Sequence, residues 1–183
     1  MWLDIIIILL LILINGFFAL SEIAIVSAKK SKLEAESKNG KKGAMMALSL
    51  KADPDNFLSS VQVGITLIGI INGAYGGQAF ADDLIPFFKQ FAFTAPFADA
   101  ISMVVVVFLI TYVSIVIGEL VPKTIALNNA EKMAIKAAPA IRIVSIIFYP
   151  FVKLLSFSTG FINKLIGLKP KDDVVSEMEL RAM

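Results

Sequence analysis

Apolar residues dominate three long runs of this chain, and each run is interrupted by polar residues. Trp2 to Ala28 is the first, interrupted by Asn15, Ser21 and Glu22. About 20 apolar residues cross a bilayer as a helix, so this run is long enough to span with some tilt. The early charge is Asp4 and no basic stretch precedes the run, which argues against a cleaved signal peptide. The second run, Asn56–Phe80, is more mixed. Ser59, Gln62, Thr66, Gly69 and Gly73 recur at spacings of 3, 4, 3 and 4, which is one face of a helix. Asp53-Pro54-Asp55 before it reads as a helix start, with an N-cap, proline in the first turn and an acid beside it. The third run, Ala100–Ile117, is the clearest span and ends in Gly118-Glu119-Leu120-Val121-Pro122-Lys123. Thr111, Ser114, Gly118 and Pro122 share a face of it.

The last apolar stretch, Ile141–Leu168, has the hydropathy of a fourth span, but Pro150 divides it and Lys153 and Lys164 lie inside it. A full crossing would also carry Lys169 and Lys171 to the side away from the other lysines. The expectation is a bent helix pair on the cytoplasmic side. The fold class is therefore an all-α membrane protein with three transmembrane helices plus cytoplasmic-side juxtamembrane helices. Residues 1–168 form the transmembrane domain, and 169–183 begin a cytoplasmic linker to a portion outside this chain.

Charge orients the spans. Lys29 to Lys51 carries seven lysines against Glu34 and Glu36, and Lys123, Lys132, Lys136 and Arg142 follow the third run. The region from Asp82 to Asp99 has three acids and one lysine. Basic loops stay inside, so the N-terminus is expected outside and the C-terminus in the cytoplasm, in the cell membrane. Asn39-Gly40 marks a turn in the lysine-rich loop, whose apolar residues let short helices lie on the membrane surface. A nucleic-acid partner does not fit this context.

Composition narrows the chemistry. Of 183 residues, 57% are hydrophobic and 17% charged, with neither cysteine nor histidine. Zinc held by thiolate or imidazole, thiolate chemistry and histidine acid–base catalysis are excluded. No nucleophile–base pair is visible, so the chain is not read as an enzyme. A bound cation would take oxygen ligands, which selects hard ions such as Mg²⁺, Ca²⁺ or Na⁺.

The weak places in the three spans supply such oxygens. Proline at 122 removes the hydrogen bond to the carbonyl four residues back, which frees the Gly118 oxygen beside the Glu119 carboxylate. Ser21 offers a hydroxyl and Asn72 an amide oxygen, the latter at an Asn-Gly pair that invites a helix break. Ionisable groups inside spans are costly and default to functional hypotheses, and broken helices are a recurrent way to build ion sites. Blander roles exist for each. Ser21 has the Phe17 carbonyl to bond, Glu119 has Lys123 at i+4, Glu22 has a nearby lysine, and Gly69, Gly73 and Gly77 also form a close-packing pattern. The polar stripe from Ser59 to Gly73 is the candidate path ending at Asn72.

On Asn15-Gly16-Phe17-Phe18-Ala19-Leu20-Ser21-Glu22, Gln62-Val63-Gly64-Ile65-Thr66 with Asn72-Gly73, and Gly118-Glu119-Leu120-Val121-Pro122-Lys123, the chain resembles the transmembrane domain of the CorC/cyclin M (CNNM) family of magnesium transporters. The resemblance implies three spans, a cytoplasmic-side helical belt and a homodimer. It implies a Mg²⁺ site whose ligands match Ser21, Asn72, Gly118 and Glu119, and favours Ser21 over Glu22. It further implies Mg²⁺ export by alternating access, with Na⁺ as the candidate counter-ion, and a cytoplasmic pair of CBS modules beyond this chain. The rival expectation is a membrane Mg²⁺ sensor that regulates other transporters and moves nothing itself.

Overall fold

The structure is a computed structural model that describes residues 2–166. The expected linker 169–183 lies outside the described residues. Seven α-helices account for nearly all of it: α1 (Trp2–Ser27), α2 (Lys30–Lys38), α3 (Lys42–Ala52), α4 (Pro54–Phe88), α5 (Ala98–Ile115), α6 (Val121–Asn128) and α7 (Ala130–Ile166). A single π-helical turn, Val116–Leu120, joins α5 to α6, so that these form one apolar rod. No strand occurs among the described residues. Four helices are long and apolar enough to cross a membrane: α1, α4, the α5–α6 rod and α7.

The packed core lies at the lysine-rich end. Ile25 and Ala28 of the α1 end, Leu33 of α2, Ala47 and Leu50 of α3, Phe57 and Val61 of α4, and Ala134, Ala138 and Ile141 of α7 are buried together. The lysine-rich loop thus forms a collar around α1 and the first half of α7. Lys51 fastens the collar, because its ammonium donates to the carbonyls of Ile25, Val26 and Ala28 at 3.2, 2.7 and 2.8 Å. Helix ends leave their last carbonyls without partners, and a lysine there satisfies them and complements the dipole. Asn39-Gly40 makes the expected turn, with Gly40 at φ +82°. Asp53 caps α4 by accepting from the Asn56 N–H at 3.4 Å, with Pro54 in the first turn. Towards the Asp4 end the packing is apolar and tight. Side chains added at Gly76 or Gly77 would overlap Ile110 or meet Met103, so these glycines let α4 lie directly on α5.

Two local expectations change. Asn72-Gly73 does not break α4, which continues to Phe88. A backbone in lipid must satisfy its own hydrogen bonds, and that outweighs the modest helix penalty of one glycine. Nor does Pro150 divide the last stretch into two helices: α7 is one helix of 37 residues running through both Pro139 and Pro150. Among the described residues beyond Ile141 only Val152 is buried, while Ile143, Ile146, Ile147, Phe157, Leu165 and others are exposed as an apolar surface.

Candidate cation site

The π turn is where the chain departs most from regular helix, and Pro122 explains its position. With no N–H at 122, the α-helical bond to the Gly118 carbonyl cannot form. The helix widens by one residue, and the Val121 N–H reaches the Val116 carbonyl, an i→i+5 bond. The Gly118 oxygen then receives a hydrogen bond from Asn15 Nδ2 of α1 at 3.0 Å. Two glycines permit this approach. A Cβ on Gly16 would stand 3.1 Å from Pro122, and one on Gly118 would stand 3.1 Å from the Ile12 carbonyl.

Beside this junction lies a cavity of about 140 Å³, lined by Asn15, Asn72, Gly69, Gly73, Thr111, Ser114, Glu119 and three isoleucines. α1, α4, α5 and the π turn each contribute, so every wall comes from one of the three apolar rods. Polar side chains interrupt a mainly apolar lining, where a hydrocarbon-facing bundle would be expected to be apolar throughout. Asn72 is 2% exposed, yet neither its amide oxygen nor its nitrogen has a hydrogen-bond partner. Asn15 is 5% exposed and its Oδ1 is likewise unpartnered. A buried polar atom left unpaired costs about 1–3 kcal/mol. Gly69 and Gly73 are not packing contacts: a Cβ on either would meet nothing within 4 Å, since both face the cavity.

Glu119 is partly buried, with 35% of its side chain exposed, and accepts a hydrogen bond from Lys123 Nζ at 2.8 Å. The same ammonium lies 3.7 Å from Glu22. One lysine therefore holds two carboxylates, one at the cavity wall and one on α1.

The four residues expected as ligands are distributed unevenly. Asn72 and Glu119 meet at the cavity. Gly118 is buried next to it, and its carbonyl is engaged by Asn15. Ser21 is fully buried, but its hydroxyl donates to the Phe17 carbonyl one turn back and it is not among the cavity-lining residues. Thr111 and Ser114, placed by their spacing on the Gly118 face, do line it. The stripe on α4 divides in two. Ser59, Gln62 and Thr66 line a separate, mainly apolar groove against Phe148, Phe151, Leu155 and Thr159 of α7, while Gly69 and Gly73 line the cavity. The residues missed as site members are Asn15, Thr111 and Ser114, which line the cavity, and Lys123, which pairs with Glu119. Asn15 carried the same signal as Ser21, a polar interruption of an apolar run, but nothing in the sequence places it opposite a residue 103 positions away.

The polar part of the lining is one carboxylate, two amides and two hydroxyls around space for an ion and several waters. No cluster of three or more Asp or Glu side chains that could hold a metal occurs among the described residues. That chemistry suits a hard cation that keeps part of its hydration shell, as Mg²⁺ does.

Fold and site together define an all-α membrane domain with a cavity carrying several side-chain oxygens between its apolar rods. The model of the cyclin M transmembrane N-terminal domain (CNNM) matches residues 5–183, and the chain belongs to that family. A UPF0053 protein of Synechocystis is 45% identical over 182 residues, covering 99% of this chain and 41% of the relative. The UPF0053 protein YhdT of Bacillus subtilis is 36% identical, covering 94% and 38%, and YrkA of the same organism is 35% identical, covering 98% and 42%. The chain thus spans about two fifths of the length of these relatives.

Proposed function

We propose that this chain is the membrane domain of a Mg²⁺ transporter, working outward by alternating access with Na⁺ as counter-ion. The carrying observation is the Asn72 amide, which is buried without a partner in the same cavity as the Glu119 carboxylate. Such an arrangement is costly in an empty bundle and is offset by an ion that takes both oxygens. Gly118 and Ser21 complete the proposed ligand set when the π turn shifts and the Ser21 hydroxyl leaves the Phe17 carbonyl. Hydroxyl and carbonyl oxygens keep acceptor capacity beyond the bonds seen here. Lys123 supplies the charge bookkeeping: it neutralises Glu119 without an ion and retains Glu22 once the ion arrives. The family resemblance adds a homodimer, a cell-membrane location with the lysine-rich collar in the cytoplasm, and regulation by CBS modules outside this chain.

Calorimetric Mg²⁺ titration of the purified chain, together with flux into proteoliposomes, tests the reading. Wild type is expected to bind and carry Mg²⁺. Glu119→Gln and Asn72→Leu are each expected to bind at least tenfold more weakly and to carry none. Binding that survives both substitutions sinks the site. Intact binding without wild-type flux replaces the transporter by a Mg²⁺ sensor.

A further inference from the structure

Of the buried side-chain atoms without partners among the described residues, only those of Asn15 and Asn72 belong to residues lining the cavity; Ser102, Ser145 and Asn56 do not line it. Asn15 also differs from Asn72 in being fixed. Its Nδ2 is committed to the Gly118 carbonyl at 3.0 Å, which leaves Oδ1 as the amide's free acceptor. A residue needed only to tie α1 to the π turn would use the donor and have no use for a desolvated acceptor. The acceptor is left without a partner on a residue that lines the cavity, in a segment where neighbouring positions are Ile12, Leu13 and Ile14.

We infer that Asn15 is itself a cation ligand through Oδ1, with its Nδ2 holding the Gly118 carbonyl beside it. This rests on the cation-site reading above and adds an amide oxygen from α1 to it. α1 then contributes directly to the cage at the level of Asn72 and Glu119. The same side chain joins α1 to the kinked rod, so that ion occupancy and the α1–π-turn contact are read by one amide.

Two substitutions separate the acceptor from the donor. Asn15→Leu keeps the size and removes both atoms. Asn15→Asp keeps an acceptor oxygen, removes the N–H donated to the Gly118 carbonyl, and adds a negative charge that strengthens a cation ligand. The purified chain in detergent is titrated with MgCl₂ by calorimetry, and its thermal unfolding is followed with and without the ion. A ligand that binds only the folded state raises the unfolding temperature with its affinity. Asn15→Leu is expected to lose at least tenfold in Mg²⁺ affinity and most of the Mg²⁺-induced rise. Asn15→Asp is expected to bind within threefold of wild type or tighter, and to show a larger rise than wild type. Loss of binding in Asn15→Asp, or wild-type affinity in Asn15→Leu, overturns the inference. Should Asn15→Leu not fold, Asn15→Asp decides alone. If Glu119→Gln and Asn72→Leu lose Mg²⁺ while Asn15→Leu keeps it, only the role of Asn15 falls. If all of them bind as wild type does, the cation site falls with it.

Discussion

Lys123 sits between two carboxylates, and its position sets a sign. It is 2.8 Å from Glu119 and 3.7 Å from Glu22, with all three side chains partly exposed. A cation that takes Glu119 must compete with this ammonium, so the lysine weakens binding and speeds release. Partly exposed ion pairs are worth roughly 1 kcal/mol, about a fivefold factor in affinity. Lys123→Met is therefore expected to bind Mg²⁺ about fivefold more tightly in calorimetry while lowering flux, because release slows. Weaker binding in this variant would mean that Lys123 orients Glu119 rather than competing for it. At this scale the sequence was informative where polarity itself was the signal. Asn72 and Glu119 stand out in apolar runs and do meet at one cavity. It was uninformative where a short side chain chooses between neighbours. The Ser21 hydroxyl always has the carbonyl of Phe17 within reach, and only the folded arrangement shows that it takes it.

The prolines at 122, 139 and 150 show why element boundaries were harder to read than elements. A proline in a helix announces a freed carbonyl, but its consequence depends on what meets that carbonyl. At Pro122 the partner is Asn15, and the helix answers with a π turn. At Pro139 the freed oxygen belongs to Ile135, and α3 comes so close that a Cβ on Gly43 would overlap it. At Pro150 the helix simply continues. None of these partners is local, so spacing and propensity could not separate a bend from an unbroken rod. Gly43 makes this testable. In an open helix position, replacing glycine by alanine gains roughly 1 kcal/mol. Against a backbone oxygen that cannot move away cheaply, overpacking costs about 1–3 kcal/mol. Gly43→Ala is expected to lower the unfolding temperature, at about 2–4 °C per kcal/mol for a chain of this length. Gly69→Ala, which meets nothing within 4 Å, should not lower it. Equal behaviour of the two variants would mean that the collar does not press on α7.

For the whole molecule the open choice is the path of α7. By length and composition it is able to cross the membrane. Its charges argue for a path along the surface. A crossing that begins near Arg142 would put Lys153 close to the bilayer centre, at a cost of about 2.5–3.5 kcal/mol or more. In the structure Lys153 lines a hollow with Asp53 and Asp55, at the first turn of α4. That turn directly follows the lysine-rich collar, so it marks a membrane boundary rather than the midplane. Thr159, further along α7, still faces the groove along Ser59–Ile70 of α4. A helix that stays at the collar end keeps Lys153 near these acids and its aromatic face in the interface. The chain has no cysteine, so single introduced cysteines report position without background. With a membrane-impermeant maleimide on intact cells, Asp83→Cys is expected to react. Ser49→Cys and Lys171→Cys are expected to react only after permeabilisation. Should Lys171→Cys react together with Asp83→Cys, α7 is a fourth span. Lys153 would then lie inside the bilayer, where it would need a carboxylate partner on α4.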